Sequence, residues 1–181
     1  MLALADSIWL ITGIPGVGKT TVSRELAARL GASAHIEVDL VREMVVSGYL
    51  APGQEPLAVS DAQLDLGAHN AALLAGSFMD AGFTPIVDDV VLRPRLARYR
   101  EVLAHRLVRL VVLAPPVGVA VDRDRGRVEK HVAGRFAYLD RELREQMLGL
   151  GLWLDTSGAS VVETVDVISR RADEALLAPV P

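Results

Sequence analysis

Cysteine is absent from the 181 residues of this chain, which rules out a disulfide framework and thiol chemistry. Lysine is almost absent: of nineteen basic residues only Lys19 and Lys130 are lysine and the rest are arginine. Asparagine occurs once, as Asn70 followed by Ala71, so a guanine-reading Asn-Lys-x-Asp element cannot be present. Aromatic residues make up 4% and the formal net charge is −4, so the chain has neither the aromatic-basic patch nor the basic footprint of most nucleic-acid binders. The longest apolar stretch, "LVVLAPPVGVAV", is broken by Pro115 and Pro116 and is too short to span a bilayer. No basic segment or cleavage site precedes the apolar run that starts at Ile8, so no signal peptide is expected and a soluble cytoplasmic protein is. No His/Asp/Glu spacing suggests a protein-held zinc ion.

Glycine, by contrast, is concentrated where it has meaning. In "WLITGIPGVGKTTVSREL" an apolar run breaks into glycines and continues as a helical pattern, with Val22, Leu26 and Leu30 recurring every four residues. Gly13-x-x-x-x-Gly18-Lys19-Thr20, preceded by a strand and opening a helix, is a phosphate-binding loop. Backbone N–H groups from Gly13, Ile14, Gly16, Val17 and Gly18 through Lys19, Thr20 and Thr21, with Pro15 shaping the turn, are expected to cradle ATP. Lys19 would reach the β- and γ-phosphates, and the Thr20 hydroxyl would take one position on Mg²⁺. The scarcity of lysine elsewhere makes Lys19 the more telling.

The remaining pattern alternates β-branched runs with amphipathic stretches and has no repeat, low-complexity tract or linker. It predicts one α/β domain over 1–181, a five-stranded parallel sheet with helices on both faces and a short helical lid. Expected strands are 8–12, 34–38, 84–89, 107–114 and 152–155, and the expected helices include 39–48, 61–80 and a last one starting at the capping box Ser160-Val-Val-Glu163. The segment 49–60 is expected to be loop. A chain of this length buries roughly 70% of its unfolded surface, enough for a sizeable core. No exposed apolar stripe is evident, which leaves the oligomeric state open.

Ligands of such sheets bind beyond the carboxyl ends of the strands, which directs attention to the residues there. "IVDDV" has the form of an apolar strand ending in a metal-side carboxylate: Asp88 is the first choice to support Mg²⁺, and Asp89 could face the substrate. In "HIEVDLVR", Glu37 and Asp39 share a face if the strand runs on to Asp39. Asp39 is the candidate base that orients an acceptor hydroxyl and takes its proton, with helix capping as the plain alternative. Arg42, one turn along, either binds substrate or forms a surface ion pair. The basic stretch 121–135 falls where a lid would cover the nucleotide; Arg123 and Arg127 are the favoured contacts to ATP and to the charge that develops on transfer, with Arg135 third. His35, His69 and His105 read as structural, and Asn70 as an ordinary helix position.

The order "GIPGVGKTT", "EVD", "IVDDVVL", "VVLAPP", an arginine-rich lid and "LWLDTS" resembles the small P-loop kinases of the nucleoside-monophosphate-kinase-like class, and in particular their chloramphenicol phosphotransferase-like branch. The resemblance covers nearly the whole chain. It implies transfer of the γ-phosphate of ATP to a hydroxyl of a small molecule, with Asp39 as base, Lys19 and Thr20 on the phosphates and Mg²⁺, 123–127 in the lid and "LDTSG" near the adenine. The acceptor pocket would be shaped by about 39–80. Related branches act on gluconate, shikimate, sugar nucleotides or RNA 5′-hydroxyls, so the acceptor stays open, an antibiotic among the candidates. The competing expectations are a nucleotide-dependent switch that hydrolyses slowly and a polynucleotide 5′-hydroxyl kinase.

Overall fold

The computed structural model describes residues 4–125 and 138–178. Its sheet has five strands, β1 (Ile8–Thr12), β2 (Ser33–Glu37), β3 (Thr84–Asp88), β4 (Val108–Leu113) and β5 (Leu152–Leu154), in the order β2-β3-β1-β4-β5. Every pairing is parallel. The helices among the described residues are α1 (Lys19–Ala28), α2 (Val38–Glu43), α3 (Leu57–Asp80), α4 (Arg93–Val102), α5 (Val117–Arg125), α6 (Tyr138–Met147) and α7 (Val161–Arg170). The α/β architecture with helices on both faces is the one the alternating pattern predicts.

Strand alternation divides the core in two. Ile8 and Leu10 of β1 join Val87, Val108, Leu110 and Val112 under α2, α3, α4 and α6. Trp9 and Ile11 join Ile86, Val111 and Leu113 under α1, α5 and α7. All five residues of β1 are buried, which fits its near-continuous apolar run, and so are those of β3, polar Thr84 and Asp88 included. Each large side chain fully enclosed in this way contributes about 1.5–3 kcal/mol. The capping box is present: Ser160 Oγ accepts the Glu163 N–H at 3.2 Å, and Glu163 Oε2 accepts the Ser160 N–H at 2.8 Å.

Several boundaries differ from expectation. β2 stops at Glu37, and Asp39 lies in the first turn of α2, so Glu37 and Asp39 do not share a strand face. α2 ends at Glu43 rather than running on to Gly48; its buried residues are Val38, Val41 and Arg42, and Met44 and Val46 beyond it stand out in solvent. α3 begins at Leu57, immediately after Pro56, which takes the N-cap position, and so absorbs the end of the expected loop. The last helix breaks at Arg171 into a short 3₁₀ turn, Ala172–Ala175, that keeps Ala172 and Ala175 buried. α3 also exposes Val59, Leu66 and Leu73, seven residues apart, an apolar stripe the sequence reading did not identify. No helix among the described residues is long and apolar enough to cross a membrane.

Candidate active site

The phosphate loop leaves the carboxyl end of β1 through Gly13, Gly16 and Gly18, which have φ of 145°, 88° and 100°. A Cβ at Gly13 would lie 2.4 Å from the Leu113 carbonyl oxygen, so the loop can pass β4 here only as glycine. Ile14 and Val17 are buried and anchor the loop by their side chains. With their side chains buried, only their backbone groups are available to a ligand, and Pro15 offers no N–H at all. Lys19 Nζ donates to the Ile14 carbonyl at 3.3 Å, folding the lysine over the loop. α1 carries no acidic residue in its first turn, so the positive end of its dipole faces the loop uncompensated.

Opposite the loop stands Asp88, 5% exposed at the end of β3. Its Oδ1 accepts from the Thr20 hydroxyl at 3.4 Å, and its Oδ2 meets His35 Nε2 at 2.5 Å. A buried carboxylate and a hydroxyl beside a phosphate loop are hard oxygen donors, few in number and leaving room for water and phosphate, which fits Mg²⁺.

Asp39, Arg42 and Asp89 gather beyond β2 and β3. Asp39 is 62% exposed, while Arg42 is 7% exposed. Arg42 Nη1 donates to Asp39 Oδ1 at 2.8 Å, and Nη2 donates to the Tyr49 hydroxyl at 3.1 Å. A Cβ at Gly67 of α3 would lie 2.4 Å from Arg42 Cγ, so the arginine stem runs against the helix where α3 has no side chain. Arg42 is thus a buried arginine whose guanidinium reaches the exposed Asp39 carboxylate and the Tyr49 hydroxyl. Asp39 does not cap α2, whose N-cap is Glu37 with no side-chain hydrogen bond.

Asp89 turns to the other side of the chain from Asp88. Its Oδ2 accepts from the Tyr99 hydroxyl at 3.1 Å, and its Oδ1 accepts its neighbour's N–H, that of Val90, at 2.7 Å. Burial pushes the Asp89 carboxyl up to about 6, with the charge of Asp39 adding to the rise and Arg95, Tyr99 and Val90 opposing it. Burial and then Asp89 raise the Tyr99 hydroxyl well above its ordinary range. The charge of Asp39 thus reaches the Asp89 carboxyl.

On the far side of the loop, Arg123 bridges three elements. Nη1 donates to the Val17 carbonyl and to Thr156 Oγ1, both at 3.2 Å, and Nη2 donates to the Thr156 carbonyl at 2.6 Å. It borders a cavity of about 320 Å³ together with Gly16, Gly18, Thr21, Thr156 and Ser160. Arg127 and Arg135 lie outside the described residues.

A family model described as "AAA domain" matches residues 10–149. The chain belongs to that family. A UPF0200 protein of Aeropyrum pernix is 29% identical over 157 residues, 84% of this chain and 73% of the relative. Among solved structures, a sugar kinase from Janibacter sp. HTCC2649 matches with TM-score 0.68 and 20% identity, covering 93% of this chain and 95% of that one. The tunicamycin resistance protein of Deinococcus radiodurans gives TM-score 0.66 and 20% identity over 96% and 99%. Shikimate kinase from Acinetobacter baumannii gives 0.61 and 18% over 94% and 96%. At these identities the likeness establishes the fold, that of P-loop kinases.

In this AAA-domain chain the structure brings the expected residues into three groups: Gly13–Thr21 with Asp88; Asp39 with Arg42 and near Asp89; and Arg123 with the "LDTSG" turn. Three contributors escaped the sequence reading. His35 bonds Asp88, Tyr99 bonds Asp89, and Tyr49 bonds Arg42. Strand alternation gives a signal for His35, since parallel pairing of β2 with β3 turns it to the same face as Asp88. Tyr99 and Tyr49 carry no such signal, because a tyrosine on a helix or in a loop reads as packing.

Proposed function

We propose that this chain is an ATP-dependent phosphotransferase, a single P-loop kinase domain of the chloramphenicol phosphotransferase-like branch that moves the γ-phosphate to a hydroxyl of a small molecule. The observation that carries the reading is the meeting, at the carboxyl ends of adjacent strands, of the Lys19–Thr20 loop with Asp88 on one side and of exposed Asp39 held by buried Arg42 on the other. Fold relatives that include a sugar kinase, a gluconokinase and a shikimate kinase support an acceptor of the hydroxylated small-molecule type.

The division of labour follows from where the charges stand. Loop N–H groups and Lys19 hold the β- and γ-phosphates, and Arg123 closes the nucleotide cavity against the Thr156 turn. Thr20 and Asp88 would hold Mg²⁺, which when bound neutralises charge on the phosphates. Asp39 accepts a hydrogen bond from the acceptor hydroxyl and takes its proton as transfer proceeds. Arg42 fixes that carboxylate by its 2.8 Å bond, so orientation is set before the acceptor arrives. Arg127 is a further candidate for stabilising transferred charge from the lid.

The test is ATP turnover with a panel of acceptors (chloramphenicol and other antibiotics, sugars, hydroxy acids, nucleosides, a 5′-hydroxyl oligonucleotide), with products identified by mass. One phosphorylated product establishes the activity and names the acceptor. ATP binding with slow hydrolysis, no product, and indifference to Asp39→Asn would support a nucleotide-dependent switch instead.

A further inference from the structure

His35 lies on β2, and in register it pairs with Ile86 of β3, two residues before the Glu37–Asp88 pair. Parallel strands keep paired side chains on one face, so His35, Glu37, Ile86 and Asp88 all turn toward α1. Glu37 is drawn outward, its Oε2 3.3 Å from Arg24 Nη2 on α1. His35 is not drawn away: its Nε2 stands 2.5 Å from Asp88 Oδ2, with side-chain exposures of 15% and 5% for the two residues.

The consequence concerns the other oxygen. Asp88 has two: Oδ2 is occupied by the imidazole, and Oδ1 faces the Thr20 hydroxyl at 3.4 Å. A carboxylate buried at the end of a strand can turn about its last bond unless a donor fixes it. Here the donor comes from the neighbouring strand, a rigid element, and it leaves Oδ1 directed at the phosphate loop. We propose that His35 is a positioning residue that holds Asp88 so that Oδ1 is presented to the Mg²⁺ accompanying the nucleotide. The proposal rests on the reading of Thr20 and Asp88 as the metal side of a nucleotide site. Hydrogen-bond partners of ligating groups set their orientation, and removing one typically lowers metal affinity about 10–100-fold. A histidine that merely fills space would affect stability and leave metal dependence alone.

The experiment measures binding of a fluorescent ATP analogue, mant-ATP, in EDTA and across a Mg²⁺ titration. The proteins compared are the unaltered chain, His35→Ala, His35→Gln and Asp88→Ala. Expected are an affinity in EDTA within about twofold for His35→Ala and a Mg²⁺ half-saturation raised about 10–100-fold toward that of Asp88→Ala. His35→Gln, whose amide N–H can reach Asp88, should recover part of the loss. An unchanged Mg²⁺ half-saturation in His35→Ala overturns the proposal while leaving the nucleotide site standing. Failure of the unaltered chain to bind mant-ATP at all overturns the nucleotide reading, and the proposal falls with it. A readout on the unaltered protein covers the case in which His35→Ala does not fold. The side-chain ¹⁵N resonances of His35 should move when Mg²⁺ is added to the ADP-saturated protein, and resonances that stay put overturn the proposal.

Discussion

Asp88 and Asp89 are adjacent in the chain, meet different partners and, on the proposed function, belong to different halves of the site. Asp88 turns to the α1 face, where Thr20 and His35 meet it, and the half it serves is made mostly of backbone: a glycine loop, a helix start and one strand end. Asp89 turns to the face of α3 and α4, where Tyr99 and Arg95 surround it, and the half it serves is made of side chains. Asp39, Arg42, Tyr49 and Gly67 come from α2, a loop and α3, and hold one another by hydrogen bonds and close contact. Backbone geometry that recognises phosphate depends little on neighbouring side chains. An acceptor pocket held by mutual side-chain contacts can be rebuilt by changing one of its members.

The largest expected effects set the two halves apart. Lys19→Ala removes the cation on the transferring phosphates and should lower turnover by about 10²–10³, with weaker nucleotide binding in the same protein. Asp39→Asn should lower transfer by about 10²–10⁴ while mant-ATP binding stays within about twofold. Loss of nucleotide binding in Asp39→Asn would break the separation of halves.

Next comes a pH effect confined to the acceptor half. The Asp89 carboxyl is raised from its ordinary 3.8 to about 6 by burial. A proton is therefore held more tightly in the folded state, so this group's stabilising contribution is complete below pH about 4 and is lost as pH rises through about 6. Asp89→Asn in the metal-free protein should be more stable than the unaltered chain at pH 7, by up to about 3 kcal/mol. The gain should shrink toward pH 4, as read by denaturant melts at both pH values.

Gly67→Ala is a smaller perturbation of the same half. The added methyl meets the Arg42 stem, and overpacking of about 1–3 kcal/mol exceeds the gain in helix propensity of about 1 kcal/mol. Melting should fall by a few degrees and the acceptor KM should rise, with nucleotide affinity unchanged. The smallest effect belongs to the nucleotide half: Ser160→Ala removes the capping box of α7 and should cost about 1 kcal/mol, or about 2–4 °C in melting temperature.

What was legible in the sequence follows the same division. The loop from Gly13 to Thr21 could be read because its glycines, lysine and threonine are contiguous and its flanks change period from strand to helix. Asp88 could be read because an apolar run ends on it, and the α7 start because a capping box is a local pattern. The turn of the chain at Glu37 was not legible, since "IEVD" continues a β-like pattern while packing of Val38 and Val41 favours a helix. Nor was the burial of Arg42, which reads as a substrate contact or a surface ion pair until Gly67, far along the chain, provides the groove for its stem.

The sequence by itself determined the α/β class, the strand–loop–helix that would take a phosphate, and the carboxylates at the strand ends, because each is written in neighbouring residues whose backbone chemistry is local. The tertiary structure decided that β2 lies beside β3 and β3 beside β1. Only that order sets His35 against Asp88, Asp88 against Thr20 and Asp89 in the field of Asp39. Those contacts join residues far apart in the chain, and sheet order is fixed by the packing of whole faces rather than by any one segment.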